Sequence, residues 1–268
     1  MRFTKMEGLG NDYVYLDCTQ SAPKDLPSLS QVVSDRHFGI GSDGLICIFP
    51  SDKADFRMAM FNADGSQAEM CGNGIRCVGK FVYDKGLTDK LELSIETLAG
   101  VKYLSLSVKQ GKVDMVTVDM GVPELGGSRT VTCAGKEYTG RCVSVGNPHF
   151  VMQVDAVKDF PLSVHAPLSV PNPAFPQGVN VEIVEVLGPD HVKMRVWERG
   201  SGETLACGTG ACATVVACIS QGLTDRDVTV TLLGGDLRVR WDEEDGHVYM
   251  TGPARTVFEG EWPDGAAL

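Results

Sequence analysis

Apolar and polar residues alternate in short runs along most of the chain, which is the pattern of half-buried β-strands. Glycine-containing turns separate these runs, as at Ala99-Gly100 and Gln110-Gly111. The runs that predict strands in the first part of the chain are 3–6, 13–16, 45–49, 56–61, 91–97, 101–108 and 113–120. Those in the second part are 131–132, 141–145, 150–154, 179–186, 192–197, 228–233, 237–241 and 247–251, with 257–260 as a last strand. The chain is therefore predicted to consist mainly of sheet.

Two segments instead have apolar residues at helical spacing, and each directly follows a cysteine. After Cys71, the apolar side chains that recur every three or four residues are Ile75, Val78, Phe81 and Val82. After Cys207, residues 211–219 are apolar on nearly every side, as expected for a helix that is buried all round. A weaker helical pattern covers 29–34, and five prolines predict an irregular connection over 160–178.

The two cysteine segments are copies of one pattern, 136 residues apart. Met70-Cys71-Gly72-Asn73-Gly74 corresponds to Ala206-Cys207-Gly208-Thr209-Gly210. The phrase Gly-Leu-Thr-Asp begins 15 residues after each cysteine, at Gly86 and at Gly222. The predicted fold class is therefore α+β, with two pseudo-symmetric halves that each form a barrel-like sheet around a central helix. We place the halves at 1–115 and 116–268, with the last strand, about 255–262, as a candidate to return to the first half.

Composition narrows the class of protein. The formal net charge of −11 argues against a duplex nucleic-acid partner, which requires a dense basic surface. No apolar run approaches the roughly 18 to 20 residues that cross a bilayer, so no membrane association is expected. The first residues lack the apolar core of a signal peptide, and a cytoplasmic location is the default. Nine cysteines, an odd number without a Cys-x2-Cys pair, favour neither a disulfide scaffold nor a zinc site.

A cysteine at the start of a helix is in a position that suits anion binding and acid–base chemistry. The first amides of a helix have no partner within it and carry roughly half a positive charge, so they bind carboxylates. The same charge stabilises a thiolate, and we expect the pKa of both Cys71 and Cys207 to lie below the usual value of about 8.5. Two such thiols on opposite faces of a carbon can remove a proton from one side and return one to the other. The alternative is a duplicated structural unit whose cysteines are buried.

The turns that precede the two cysteines are rich in polar residues, which a purely structural duplication does not predict. They span 61–69 and 197–204. Asn62 aligns with Glu198, and Ala63 aligns with Arg199. A strand end followed by a polar loop and a helix start is a frequent arrangement in binding sites.

These segments resemble the diaminopimelate epimerase family. The stretches that are similar to its two long motifs are Phe61–Ser66 with Met70–Cys77, and Glu198–Thr204 with Ala206–Cys212. Shorter matches are Gly8–Asp12, Asp35–Gly41, Gly146–His149 and Val179–Glu182. The matches run in family order from residue 8 to about residue 212.

The resemblance implies an enzyme that inverts one stereocentre of LL-diaminopimelate to give the meso isomer, for lysine and peptidoglycan precursor synthesis. It implies a site in the cleft between the halves, a small-molecule amino-acid substrate, no pyridoxal phosphate or other cofactor, no metal, and a homodimer. Cys71 and Cys207 are the implied acid and base. The residues that the resemblance implies for substrate binding are Asn11, Asn62, Gly72, Asn73, Gly74, Asn147, His149, Asn180, Glu198, Arg199, Gly208 and Thr209.

One position departs from the family pattern, and three other classes of protein are alternative interpretations of the sequence. Some family members carry glutamine where this chain has Gly44, so any contact of that side chain is absent or replaced. Proline and hydroxyproline racemases share the two-thiol logic, but their first motif usually has histidine where this chain has Asn73. Phenazine-biosynthesis isomerases lack the paired cysteines. A thiol redox or structural protein would not need the polar turns.

Overall fold

The chain divides into two units, residues 1–118 together with 252–263, and Asp119–Thr251. The structure, a computed structural model, describes residues 1–263. The elements up to residue 119 are β1 (Arg2–Gly8), β2 (Asn11–Asp17), α1 (Leu26–Ser34), β3 (Gly44–Phe49), β4 (Phe56–Asn62), β5 (Gln67–Ala68), α2 (Gly72–Asp84), β6 (Glu92–Thr97), β7 (Gly100–Lys109) and β8 (Lys112–Asp119).

The remaining elements follow the same plan. They are β9 (Glu124–Cys133), β10 (Lys136–Ser144), β11 (Pro148–Gln153), a 3₁₀ helix (Leu162–Leu168), β12 (Asn180–Gly188), β13 (His191–Glu198), β14 (Gly202–Thr204), α3 (Gly208–Ile219), β15 (Asp227–Leu232), β16 (Gly235–Trp241), β17 (Val248–Pro253) and β18 (Arg255–Glu261). The proline-rich connection therefore contains one helical segment. No helix within residues 1–263 is both long enough and apolar enough to cross a membrane.

The strand order is the same in both units. In the first unit the neighbours run β18-β1-β2-β3-β4-β6-β7-β8, with the short β5 paired to β4. In the second they run β9-β10-β11-β12-β13-β15-β16-β17, with β14 paired to β13. Two pairs in each order are parallel, β2–β3 and β4–β6 in the first unit, β11–β12 and β13–β15 in the second.

Each sheet is mixed and curves around a buried helix. Helix α2 packs against β1, β2 and β7, which lie near opposite ends of the strand order, so the sheet must bend around it. Helix α3 packs in the same way against β10, β11 and β16. No described pairing joins β18 to β8 or β9 to β17, so the sheets are open rather than closed barrels. The predicted α+β class is confirmed.

Both long helices end in the same way because glycine adopts a left-handed conformation there. Gly86 has φ +71° and Gly222 has φ +70°. The following amide of Leu87 then donates to the Val82 carbonyl, as that of Leu223 does to Cys218. This arrangement satisfies carbonyls that the last helical turn leaves open, and only glycine adopts it without a steric penalty.

Candidate functional site

Cys71 occupies the capping position of α2. Its backbone is extended, with φ −133° and ψ 121°, so the chain turns into the helix directly after it. The Gly74 amide donates to Cys71 Sγ at 3.3 Å, and Sγ lies 3.2 Å from Asn11 Oδ1. The thiol is thus held between a helix amide, which favours the thiolate, and an amide carbonyl, which accepts from the thiol.

The orientation of Asn11 is set by Asp43. Asn11 Nδ2 donates to Asp43 Oδ2 at 2.8 Å, which leaves the Asn11 carbonyl oxygen to face Cys71. Arg36 in turn donates to both Asp43 and Asp12, at 2.9 and 2.8 Å. Because the opposite orientation of Asn11 would place its oxygen against the Asp43 carboxylate, this network fixes the Asn11 carbonyl oxygen toward the Cys71 thiol.

Tyr13 fills the space beside Gly44, the position that departs from the family pattern. The two residues are register partners on β2 and β3. A Cβ on Gly44 would lie 2.9 Å from the Tyr13 ring and 2.1 Å from the Phe61 carbonyl oxygen, so no larger residue fits. The Tyr13 hydroxyl interacts with Asn11 and Cys71. Burial, and then the negative charge of a Cys71 thiolate, raise the pKa of Tyr13, which keeps it a neutral donor.

The other predicted residues of the first unit lie close to this network. Asn62 ends β4 opposite Gly44, and its Nδ2 donates to Ser66 Oγ at 3.0 Å. Asn73 is buried on the first turn of α2, after Gly72. At Gly74 a Cβ would lie 2.8 Å from Ile46 Cδ1, so a larger residue there would require the end of the Ile46 side chain to shift.

Cys207 occupies the equivalent capping position of α3, in a different electrostatic environment. Its backbone is also extended, with φ −125° and ψ 112°, and Gly208 begins the helix. Sγ lies 3.5 Å from Thr209 Oγ1. Burial, and then the negative charges of Glu198 and Glu182, raise the pKa of Cys207 well above its usual value. The expected lowering of this pKa is therefore wrong, because desolvation and two carboxylates outweigh the helix amides.

Glu198, Arg199 and Asn180 meet where β13 leaves the sheet. The Arg199 amide donates to Asn180 Oδ1 at 2.8 Å, and Asn180 Nδ2 donates to the Pro148 carbonyl at 3.2 Å. The exposed Arg199 guanidinium donates to the Gln177 carbonyl at 3.0 Å. Glu198 accepts a hydrogen bond from the Thr204 hydroxyl. Asn180 thus ties three strand ends together and fixes the start of the turn that carries Arg199.

His149 lies inside the second unit, with both ring nitrogens engaged. Nδ1 lies 2.6 Å from Glu182 Oε1, and Nε2 lies 3.0 Å from Asn147 Oδ1. His149 and Asn180 are register partners on β11 and β12, which brings Asn147, His149 and Asn180 to one end of this parallel pair.

The structure adds three residues to the predicted set: Tyr13, Asp43 and Glu182. Tyr13 and Glu182 each lie two positions after a predicted asparagine, Asn11 or Asn180, on the same strand. Side chains two apart on a strand share a face, so this spacing was the available signal. No group of three or more metal-ligating side chains occurs in the described part of the chain.

Comparisons with known proteins identify the same family that the sequence motifs resemble. The family model for diaminopimelate epimerase matches residues 3–126 and 141–257. The chain is 55% identical to a diaminopimelate epimerase of Methanococcus maripaludis, over 97% of this chain and 99% of that protein. It is 54% identical to one of Acetivibrio thermocellus and 51% identical to one of Desulfovibrio desulfuricans, over 97% and 98% of this chain and 98% of each relative.

Solved structures with low sequence identity share the fold. A phenazine biosynthesis protein of Bacillus anthracis is 17% identical and superposes with a TM-score of 0.75, over 98% of this chain and 99% of that one. A hydroxyproline epimerase of Agrobacterium vitis is 15% identical, with a TM-score of 0.71 over 97% and 90% of the two chains. At this identity the likeness concerns the fold alone.

Proposed function

The chain belongs to the diaminopimelate epimerase family, and on that premise we propose that it interconverts LL- and meso-diaminopimelate, a step toward lysine and peptidoglycan precursors. One thiol removes the α-hydrogen and the other delivers a proton to the opposite face. The observation that carries the proposal is the equivalent position of Cys71 and Cys207, each capping a buried helix at the same point of the same strand order.

The surroundings of the two thiols indicate which one acts as the acid and which one acts as the base. Cys207 lies among carboxylates that favour its neutral form, and it is the proton donor in one direction. Cys71 Sγ accepts a hydrogen bond from the Gly74 amide, and Cys71 is the base in that direction. Because one thiol must be charged while the other is neutral, the two titrate as a coupled pair. In the reverse direction the roles exchange.

The remaining residues suit the ends of this substrate. The first amides of α2 and α3 would stabilise the charge that develops on the reacting carboxylate, as in an oxyanion site. Arg199, with Asn62 and Asn180, would hold the distal carboxylate, for which a guanidinium fork is well matched. Glu198 would accept from an ammonium group. Distal contacts of this kind separate diaminopimelate from proline, which has no second amino-acid end.

The proposal is tested by following α-hydrogen exchange into LL-diaminopimelate in heavy water with the reduced protein. We expect deuterium incorporation together with formation of the meso isomer. Exchange with L-proline or 4-hydroxyproline, but not with LL-diaminopimelate, would retain the two-thiol chemistry and reject the substrate. Absence of exchange with all three would reject the proposed activity.

Arg199→Met is expected to raise KM for LL-diaminopimelate by roughly 10- to 100-fold, with a smaller change in kcat, since it removes a contact remote from the reacting carbon. Steady-state kinetics with both isomers would measure this split. Arg238→Met, on the exposed surface of β16, is the matched control and should leave both constants unchanged. A fall in kcat alone would show that Arg199 does not bind the distal end.

Tyr13→Phe is expected to lower kcat about tenfold, because it removes only the hydroxyl that interacts with Asn11 and Cys71. The ring that packs against Gly44 remains, so the thermal midpoint should stay close to that of the unmodified protein. Tyr249→Phe, which removes a surface hydrogen bond to Asp245, is the control for the same chemical change. Unaltered kinetics in Tyr13→Phe would exclude the hydroxyl from the reaction.

A further inference from the structure

The turn that carries Arg199 is built from residues with little conformational preference of their own. It joins β13 to β14, and its glycines are in the left-handed region, with φ +87° at Gly200 and φ +76° at Gly202. Glycine adopts this conformation readily, but it also has the most freedom to leave it. The conformation of the turn, and with it the direction of the Arg199 side chain, must therefore be set by contacts with the rest of the second unit.

Arg195 makes contacts that can hold the turn. It lies on β13, and its guanidinium forms two parallel hydrogen bonds with Glu203 on β14, from Nε to Oε1 at 2.7 Å and from Nη2 to Oε2 at 3.1 Å. Arg195 shares a strand face with Trp197, whose register partner is Glu203, so the two charged side chains are diagonal neighbours. A forked pair of this kind fixes both distance and angle, and it holds β14 against β13.

The same guanidinium also binds the connection between β11 and β12. Nη1 of Arg195 donates to the carbonyl oxygens of Val157 and Phe160, at 2.6 and 3.0 Å. The far end of this connection reaches Arg199, whose Nη1 donates to the Gln177 carbonyl at 3.0 Å. The Arg195 side chain is only 16% exposed, so water competes little for these bonds. One side chain thus joins the connection to both strands that border the turn.

The first unit has an equivalent arrangement that is built from different residues. There α1, which lies between the parallel strands β2 and β3, supports the polar turn after β4. Ser30 Oγ donates to the Asn62 carbonyl at 2.8 Å, and Gln31 Nε2 donates to the Asp64 carbonyl at 2.6 Å. In both units the segment that links a parallel strand pair therefore supports the turn that precedes the cysteine of the long helix.

We propose that Arg195 and Glu203 are positioning residues for the distal end of the substrate. Their paired hydrogen bonds hold β14 and the start of the connection in place, and they thereby direct Arg199 toward the distal carboxylate. The inference rests on the proposed function, in which Arg199 binds that carboxylate. Arg195 and Glu203 act through the turn and take no part in proton transfer.

Steady-state kinetics of Arg195→Met, Glu203→Gln and the double variant test the proposal. We expect KM for LL-diaminopimelate to rise about tenfold in Arg195→Met and about threefold in Glu203→Gln, with kcat within about twofold, because the turn binds the end remote from the reacting carbon. The double variant should have a KM within about twofold of that of Arg195→Met, since the two side chains act as one unit. An unchanged KM in both single variants, a fall in kcat alone, or effects that multiply in the double variant would overturn the proposal.

Arg238→Met is the matched control for these variants. Arg238 forms the same fork with Asp227 across β15 and β16, at 2.7 and 2.6 Å, and its loss should leave KM unchanged. Glu203→Gln leaves the bonds of Arg195 to the connection in place, so it remains informative if Arg195→Met does not fold.

Amide hydrogen exchange, followed by mass spectrometry, tests the turn independently of activity. Residues 198–204 should exchange faster in Arg195→Met and Glu203→Gln than in Arg238→Met, because the pair no longer holds β14. Equal exchange in the three variants would overturn the proposal. If the unmodified protein has no epimerase activity, the proposed function is rejected, while the exchange rates still show whether the pair holds the turn.

Discussion

Cys71→Ala and Cys207→Ala are each expected to lower epimerisation by roughly 10³-fold or more, because each removes one of the two proton-transfer groups. In Cys207→Ala the Gly74 amide and Asn11 still hold the Cys71 thiol, but no group delivers a proton to the opposite face. In Cys71→Ala the Cys207 thiol remains, but no group transfers a proton on the face that Cys71 serves. The measurement is conversion of each isomer, followed by chiral separation, with deuterium content read by mass spectrometry.

Other cysteines of the same helices provide the controls. Cys77 on α2 and Cys212 on α3 are fully buried, and their replacement by alanine should leave kcat within a few-fold of its original value. Thermal unfolding of all four variants would show whether any loss follows from misfolding. If either Cys71→Ala or Cys207→Ala kept more than about a tenth of the original rate, acid–base catalysis by that thiol would be rejected.

Gly44→Gln, which restores the side chain found in some family members, is expected to destabilise this protein by roughly 2–4 kcal/mol. The Cβ alone would lie 2.1 Å from the Phe61 carbonyl oxygen and 2.9 Å from the Tyr13 ring. Relief requires β3 to separate from β4 or the buried ring to leave its position beside Cys71. Both the free energy of unfolding and kcat should therefore fall, which chemical denaturation and steady-state kinetics would measure.

Gly188→Gln is the matched control for this substitution. Gly188 ends β12, and the nearest atom to its Cβ position is Asp190 Oδ1 at 3.8 Å. We expect a change within about 1 kcal/mol there. If Gly44→Gln were as stable as the control, β3 and β4 would have to differ from the described arrangement, and Tyr13 would not be the residue that fills this space.

The predicted pKa of Cys207 shows where reasoning from a helix start alone fails. The prediction that Cys207 lies at the start of a helix is confirmed. Helix starts in general have amides without a partner inside the helix, and these lie near the thiol. The sign of the shift is set first by burial and then by the charges of Glu198, which belongs to the same motif as Cys207, and of Glu182 on β12, which lies further away in the sequence. The burial of Cys207 and the proximity of Glu182 depend on how the strands pair, which a single sequence motif does not encode.

The sequence by itself determined the parts of this protein that depend on short stretches of chain. Alternation located most strands, although it missed the short β5 and β14 and predicted only residues 131–132 of β9. Helical spacing located α2 and α3, and Gly86 and Gly222 marked their ends because only glycine takes that conformation cheaply. The duplicated cysteine motif identified the family. Only the tertiary structure decided which strands are neighbours, including the return of β18 to β1, the placing of Tyr13 against Gly44, and the burial of Glu182 with His149. These features depend on contacts between residues far apart in the chain, whose free energies appear only once the sheet has formed.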